Sequence, residues 1–240
     1  MTAAGFLVVL GAVFLAGAVQ TLAGFGFALL AVPLMSTVLT VRETVAVAAV
    51  LGLVSATTVA LRHRGDIDRP TVGRMVVPAL VAMPVGIVVA RHVSDDALRI
   101  ALAVSVLVFT AVLASGFRLR RSRPAVDVAA GVVSGVLSTT IGTNGPPLVM
   151  VLQARGLAPD PFRATLSGVF AIANVATFAL LLGRMTSSLW LLALACVPGM
   201  WVGWQVGYAV GRRLDHSRFD GLVRGLLVAS AAAALAAVFS

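Results

Sequence analysis

The sequence predicts an all-α, polytopic membrane protein with two inverted repeats, each formed by a Gly-interrupted helical hairpin and three transmembrane helices. Three observations lead to this prediction: the composition, the length of the apolar segments and an internal sequence match. Of the 240 residues, 60% are hydrophobic and 11% are charged, whereas a soluble domain has about 45–50% apolar and about 25% charged residues. This composition is typical of an integral membrane protein.

The apolar segments approach or exceed the roughly 17–25 residues that cross a bilayer as a helix. They cover residues 3–22, 44–61, 72–90, 97–117, 164–183, 187–211 and 221–239. Their apolarity is continuous and lacks the alternation of an outer-membrane barrel, which favours helices. The net charge of +9 comes from arginines in short loops. It therefore indicates membrane topology, and we expect the lipid bilayer as a partner and no nucleic acid.

The chain matches itself at a nearly constant offset, which predicts an internal duplication. The matching segments are RETVAV (42–47) with RATLSG (163–168), VVPAL (76–80) with CVPGM (196–200), and PVGIVVARHV (84–93) with QVGYAVGRRL (205–214), at offsets of 121, 120 and 121. The order is the same in both halves. We therefore expect a first repeat over residues 1–118, a cytoplasmic Arg-rich linker over 119–124 and a second repeat over 125–240.

The arginines predict the orientation of the repeats, because basic residues next to transmembrane helices stay on the cytoplasmic side. If residues 3–40 and 125–155 are hairpins that return to the side where they start, the arginines divide 14 to 4 between the two sides. If each segment crosses once, they divide 9 to 9. The hairpins are favoured, so each half crosses an odd number of times and the repeats are inverted, as in many secondary transporters. Both termini are then periplasmic.

The stretch GTNGPP (142–147) interrupts the apolar pattern of the second half. A break at membrane depth is tolerated only where protein or a water-filled cavity supplies hydrogen-bond partners. The two prolines suit the first turn of a helix, and Asn144 or Thr143 can cap it. A helix is expected to begin near Gly145, and its N-terminus carries about +0.5 of an elementary charge and free N–H donors, which favour an anion.

The first half contains an equivalent break, AGFGF, with Gly24 opposite the glycine that starts the second break. Gly24 and Gly26 let the backbone turn before a helix that is expected to begin near Phe27. Gln20 and Thr21 supply polar side chains just before the turn. By symmetry, the two helix starts converge on the centre of the protein. Close helix packing is the alternative role for these glycines.

The candidate substrate-binding residues belong to the two breaks, to one later apolar span and to the hairpin exits. They are Gln20, Thr21, Gly24, Gly26, Thr139, Thr140, Gly142, Thr143, Asn144, Gly145, Asn174, Arg42 and Arg163. The alternatives are hydroxyls bonded to their own backbone, an interhelical hydrogen bond for Asn174 and interfacial anchors for the arginines.

Catalytic and metal-binding patterns are missing from the sequence. It has no Ser/His pair, HExxH motif or buried pair of aspartates, and the lone Cys196 cannot form a thiolate cluster. Glu43 and the eight aspartates lie in loops or near segment ends. We therefore expect no enzyme activity, no metal, no cofactor and no buried carboxylate relay of the kind found in pumps.

The quoted segments resemble the sulfite exporter TauE/SafE family over essentially the whole chain. The resemblance lies in the Gly-interrupted segments GFGFALLAVPLM and GTNGPPLVMVL, the pair RETVAV and RATLSG, and the pair PVGIVVARHV and QVGYAVGRRL. It implies a bacterial or archaeal inner-membrane carrier for small anions, often sulfite or organosulfonates.

The function expected from this resemblance is a secondary transporter that exports a small sulfur oxyanion such as sulfite across the inner membrane by alternating access. The alternatives are a transporter of another small organic anion (sulfoacetate, another organosulfonate or a carboxylate) and an anion channel. A homodimer is compatible with the sequence.

Overall fold

A computed structural model describes residues 2–23, 25–62, 64–115, 123–155 and 157–211, together with residues 225, 228, 231, 232 and 236. Most of the predicted linker and most of the last predicted span lie outside the described residues. Within the described residues, every regular element is helical, as the sequence predicts.

The helices of the first half are α1 (Ala3–Ala23), α2 (Phe27–Met35), α3 (Val41–Arg62), α4 (Arg69–His92) and α5 (Asp95–Ala114). Those described in the second half are α6 (Pro124–Thr140), α7 (Gly145–Ala154), α8 (Pro159–Leu181) and α9 (Ser187–Gly211). Within the described part of the chain, α1, α3, α4, α8 and α9 are long and apolar enough to cross a membrane. The chain is therefore a multi-pass membrane protein.

Both predicted helix breaks are present, and α2 and α7 begin at the predicted residues, Phe27 and Gly145. The two helices have 9 and 10 residues and are therefore only about 14 and 15 Å long. The backbone turns at Gly26, with φ 101°, and at Gly142, with φ 72°. Glycine adopts this left-handed region readily because it has no Cβ. The two turns differ, since Gly26 directly precedes its helix whereas Gly142 lies three residues earlier.

The long helices pack in pairs that join the two halves of the chain. The most extensive pairs are α4 with α6, α1 with α9 and α3 with α8. The first helix of each half therefore packs against the fourth helix of the other half, and the third helices of the two halves pack against each other. The short helix α2 packs on α1, and α7 packs on α6.

Glycines allow two of these helix pairs to approach closely. A Cβ atom added to Gly135 of α6 would lie 2.1 Å from the carbonyl oxygen of Ala79 in α4. A Cβ atom added to Gly17 of α1 would lie 2.7 Å from the carbonyl oxygen of Met200 in α9. Real Cβ contacts are longer than this, so any side chain at either glycine would separate the helices.

Candidate functional site

A cavity lies where the two helix breaks meet. Its walls come from α1, α3, α6 and α8 and from the N-terminal ends of α2 and α7, and the cavity volume is about 40 Å³. Its polar and glycine residues are Gln20, Gly26, Gly52, Ser138, Gly142, Asn144, Gly145, Asn174 and Thr177. The rest of the wall is apolar and includes the rings of Phe27 and Phe170. The cavity is therefore an apolar chamber with a few polar groups, the usual form of a small-molecule site.

The fold brings several of the predicted site residues together at this cavity. They are Gln20, Gly26, Gly142, Asn144, Gly145 and Asn174. These residues come from both halves of the chain, and the first and last of them, Gln20 and Asn174, are separated by most of its length. Gly24 lies outside the described residues.

Asn144 occupies the N-cap position of α7, but its side chain makes no capping hydrogen bond. The predicted capping role is therefore not present in the structure. Its backbone carbonyl oxygen accepts a hydrogen bond of 2.7 Å from Ser134 Oγ. The residue is only 7% exposed and lines the cavity. Its side-chain amide has no hydrogen-bond partner among the described residues, and a buried amide in that state is costly unless a ligand or water satisfies it.

Asn174 presents a second amide to the cavity from the middle of α8. Its side chain lies against Gly52 of α3, where an added Cβ would be 3.0 Å from Asn174 Nδ2. Gly52 therefore makes room for the amide. An interhelical hydrogen bond was the alternative role that the sequence offered for Asn174. At Gly52, however, the side chain of Asn174 makes only a van der Waals contact with α3.

Ser138 and Thr177 also line the cavity and were missed by the sequence analysis. Their hydroxyl oxygens are 2.8 Å apart and join α6 to α8. In the other half, Ser55 Oγ donates to Gln20 Oε1 at 2.5 Å and joins α3 to α1. Ser138 stands opposite Gln20 in the same alignment that places Gly24 opposite Gly142, so the internal repeat was the signal that could have found it.

Four predicted threonines do not line the cavity. The hydroxyls of Thr21, Thr139 and Thr140 donate to backbone carbonyl oxygens at 3.0, 2.8 and 2.7 Å. Thr139 bonds to Met83 of α4, and Thr21 bonds within its own helix. Thr140 bonds within its own helix and also, at 3.2 Å, to the carbonyl oxygen of Gly86 in α4. Thr143 is fully buried, and its hydroxyl oxygen has no hydrogen-bond partner among the described residues.

Neither predicted arginine lines the cavity. Arg42 donates from Nε to the carbonyl oxygen of Ala90 at 3.0 Å and from Nη2 to that of Val93 at 2.6 Å. It thus holds the start of α3 against the C-terminal end of α4, where a cation is favoured by the helix dipole. Arg163 lies in the second turn of α8, away from the cavity wall.

Asp127 is an additional feature that the sequence did not reveal. It lies near the start of α6, as expected for an acid at a segment end, but it is fully buried. Arg74 Nε is 3.0 Å from its Oδ2, and Arg155 Nη2 donates to the same oxygen. Arg155 Nη1 also donates to Thr71 Oγ1 at 2.5 Å. These contacts join α4, α6 and the C-terminal end of α7.

Asp68 completes this group at the N-cap of α4. The Thr71 hydroxyl donates to its carboxylate and is the main cause that lowers the pKa of Asp68 below its usual value. Burial acts in the opposite direction, while Arg155 and Arg74 lower the pKa further. We call Asp68, Thr71, Arg74, Asp127 and Arg155 the charged cluster.

Long apolar helices around an apolar cavity with a few polar groups, and two helix breaks at its wall, define a multi-pass membrane protein of the transporter class. Residues 9–234 match the sequence model of the family described as sulfite exporter TauE/SafE. The chain therefore belongs to the TauE/SafE family.

A curated relative supports the same assignment. The chain is similar to a probable sulfite/organosulfonate exporter TauE from Cupriavidus necator, with 27% identity over 189 residues that cover 75% of this chain and 73% of the relative. No solved structure matches the chain significantly.

Proposed function

We propose that this protein is a secondary transporter that exports a small sulfur oxyanion such as sulfite across the inner membrane by alternating access. The observation that carries the proposal is the buried amide of Asn144, which has no hydrogen-bond partner among the described residues and lies at a cavity where two helix N-termini meet. The membership in a family of sulfite exporters and the similarity to a probable sulfite/organosulfonate exporter support the substrate class.

The two helix starts offer different donors to an oxyanion. At α2, the first-turn N–H groups of residues 27–29 have no intrahelical partner, and these residues line the cavity. At α7, Pro146 and Pro147 occupy the first turn and have no N–H to donate. We infer that the amide of Asn144 takes the place of those missing donors. The anion would therefore accept from backbone N–H groups on one side and from an amide side chain on the other.

Two inverted repeats are the second part of the proposal, and the crossed packing of the helices supports them. At an offset of 118, Gly17 of the first hairpin stands opposite Gly135, and at an offset of 121, Ala79 stands opposite Met200. Gly17 contacts the carbonyl oxygen of Met200, and Gly135 contacts that of Ala79. The two contacts are therefore a pair that the proposed two-fold axis, which would exchange the repeats, would relate to each other.

A second pair of glycine contacts follows the same rule. An added Cβ at Gly86 would lie 2.4 Å from the carbonyl oxygen of Val136, and one at Gly207 would lie 2.3 Å from that of Ala18. Gly207 stands opposite Gly86, and Val136 stands opposite Ala18, at the same two offsets. Repeats of opposite orientation around a central site are the basis of alternating access, since exchanging their conformations moves the opening from one face to the other.

Substitution of Asn144 tests the function and the site together. In vesicles, the native protein should show saturable counterflow of sulfite, which a channel would not show. Asn144→Ser loses the amide, so sulfite affinity should fall about 10–100-fold, the equivalent of roughly 1.5–3 kcal/mol for a hydrogen bond to a charged group. Asn144→Asp should bind at least about tenfold more weakly than Asn144→Ser, because it places a negative charge beside the anion.

Thr21→Val provides a control for this experiment, because the Thr21 hydroxyl bonds to its own helix and does not line the cavity. Its affinity for sulfite should stay within about threefold of the native value, since a single peripheral change has little effect. Each variant must be monodisperse in detergent before binding is measured. If Asn144→Asp binds sulfite as tightly as the native protein, the anion does not bind at the start of α7.

In the proposed topology, the protein lies in the inner membrane with hairpins over residues 3–40 and 125–155. The linker over 119–124 is cytoplasmic, and both termini are periplasmic. We expect single cysteines at Thr2 or Ser240, in a Cys196→Ser background, to react with an impermeant thiol reagent in intact spheroplasts. Cys196 is fully buried, so its replacement removes a thiol that could react after unfolding. Labelling that requires lysis of the cells would show that the hairpin topology is wrong.

A further inference from the structure

We propose that the cavity selects singly charged anions, hydrogensulfite or a monosulfonate, and rejects doubly charged oxyanions. This inference rests on the proposed function and adds the charge of the substrate to it. It follows from two properties of the cavity wall: the positive charge that its two helix N-termini supply, and the chemistry of the side chains that face it.

The helix N-termini supply at most about one positive charge in total, because Pro146 and Pro147 remove two N–H groups from the start of α7. Each N-terminus of a helix carries about +0.5 of an elementary charge, and the starts of α2 and α7 both line the cavity. The buried amide of Asn144, which has no partner among the described residues, indicates independently that a ligand belongs there. One negative charge would be balanced by these two dipoles. A second would be held in a buried site with no charge to balance it, which is very unfavourable.

The side chains of the cavity wall add donors but no charge. The hairpins contribute Gln20, Ser138 and Asn144, and α8 contributes Asn174 and Thr177. The wall formed by α3 consists of apolar residues and glycine. Among the described residues that line the cavity, every side chain is neutral and does not titrate near neutral pH.

The arginines closest to these helices in the chain are used elsewhere. Arg42 bonds to carbonyl oxygens at the end of α4. Arg74 and Arg155 share the carboxylate of Asp127 in the charged cluster. Their contacts hold helices together, and none of these guanidinium groups contributes to the wall of the cavity.

This selectivity predicts a pH dependence that comes from the substrate alone. Sulfite exchanges between its singly and doubly charged forms close to neutral pH, so the singly charged fraction decreases as the pH rises. Methanesulfonate carries one charge throughout the same range and resembles hydrogensulfite in its three sulfur-bound oxygens. A comparison of the two anions therefore separates titration of the substrate from titration of the protein.

The experiment measures binding of sulfite, methanesulfonate and sulfate to the purified full chain, from mildly acidic to mildly alkaline buffer. Above the pH of the second ionisation of sulfite, the affinity for sulfite should decrease by a factor that approaches ten for each pH unit. The affinity for methanesulfonate should stay constant. Sulfate should bind at least about 100-fold more weakly than methanesulfonate, because its second charge is not compensated. Sulfite affinity that stays constant or increases with pH, or sulfate that binds as tightly as methanesulfonate, would overturn the proposal.

A variant with one added cation provides the positive test. Asn174→Lys should increase the affinity for sulfate relative to methanesulfonate by at least about tenfold, whereas Asn174→Met, which has a side chain of similar length without charge, should not. An unchanged ratio in a folded Asn174→Lys variant would count against the proposal, and if that variant does not fold, the pH profile of the native protein still decides. If neither sulfite nor methanesulfonate binds or exchanges, the proposed function itself is wrong.

Discussion

We expect Asp127→Ala to destabilise the folded protein by about 3–5 kcal/mol, the usual cost of removing one partner from a buried ion pair. Asp127 is fully buried, and both Arg74 and Arg155 bond to its carboxylate. The side chain of Arg74 is 40% exposed and can turn towards water, whereas that of Arg155 is 16% exposed. Most of the loss of stability should therefore come from Arg155, because its guanidinium group keeps its charge but loses its closest carboxylate.

Thermal unfolding of the purified variants in detergent measures this loss. Asp96→Ala is the matched control, because Asp96 is an exposed aspartate in the first turn of α5 and should contribute at most about 1 kcal/mol through the helix dipole. The double variant Asp127→Ala/Arg155→Ala should be more stable than the sum of the two single losses predicts, because each single change already removes the bond between the two side chains. An Asp127→Ala variant that unfolds at the native temperature would show that the charged cluster does not hold these helices together.

The charged cluster anchors the second hairpin, and the aligned positions of the first hairpin carry uncharged residues. At the offset that aligns the two breaks, Asp127 stands opposite Val9 and Arg155 stands opposite Thr37. The Thr37 hydroxyl donates to the carbonyl oxygen of Leu34, within its own hairpin. The C-terminal end of α7 is therefore bonded to α4 and α6 by charged groups, whereas the first hairpin is bonded to α5 by a different contact, in which Arg99 Nη2 donates to the carbonyl oxygen of Leu39 at 3.3 Å. Since α7 is only ten residues long, this anchor also fixes the orientation of its N-terminus at the cavity.

The helix breaks could be predicted from the sequence because their signals are local. A glycine permits a left-handed turn, and a pair of prolines fixes the backbone of a first helical turn, wherever these residues occur. The starts of α2 and α7 were therefore predicted correctly. The positions of Gln20, Asn144 and Asn174 at one cavity followed less directly. They required the internal repeat, which places the two breaks opposite each other, and the high cost of burying an unpaired amide in a membrane.

The missed residues depend on contacts between distant parts of the chain. Ser138 and Thr177 are small hydroxyl residues, which in helices often bond to their own backbone, so neither indicates a site by itself. Asp127 looks like an acid at the end of a span, and only the packing of α4 and α7 around it shows that it is buried. For Arg42, the sequence gives the charge but not the direction of the side chain, which the carbonyl groups at the end of α4 determine.

The second large effect is expected on the stability of the closely packed helix pairs, α4 with α6 and α1 with α9. A Cβ at Gly135 would lie 2.1 Å from a backbone oxygen, and such overpacking forces the two helix backbones apart. We therefore expect Gly135→Ala to lower the free energy of unfolding by about 1–3 kcal/mol or more. Gly135→Leu should prevent the accumulation of folded protein. If the repeats are equivalent, Gly17→Ala should act in the same direction. It should cost less, since the corresponding distance is 2.7 Å.

Gly11→Ala is the matched control in the same helix as Gly17. Nothing lies within 4 Å of a Cβ added to Gly11, so alanine should stabilise the protein by about 0.5–1 kcal/mol through its higher helix propensity. Unfolding temperatures and sulfite counterflow should be measured for all four variants. Both close-contact alanine variants should unfold at lower temperature than the native protein, while Gly11→Ala should unfold at the same or higher temperature. If Gly17→Ala and Gly135→Ala stabilise the protein as Gly11→Ala does, α1 and α9, and α6 and α4, do not pack at these glycines, and the equivalent contacts that support the inverted repeats are absent.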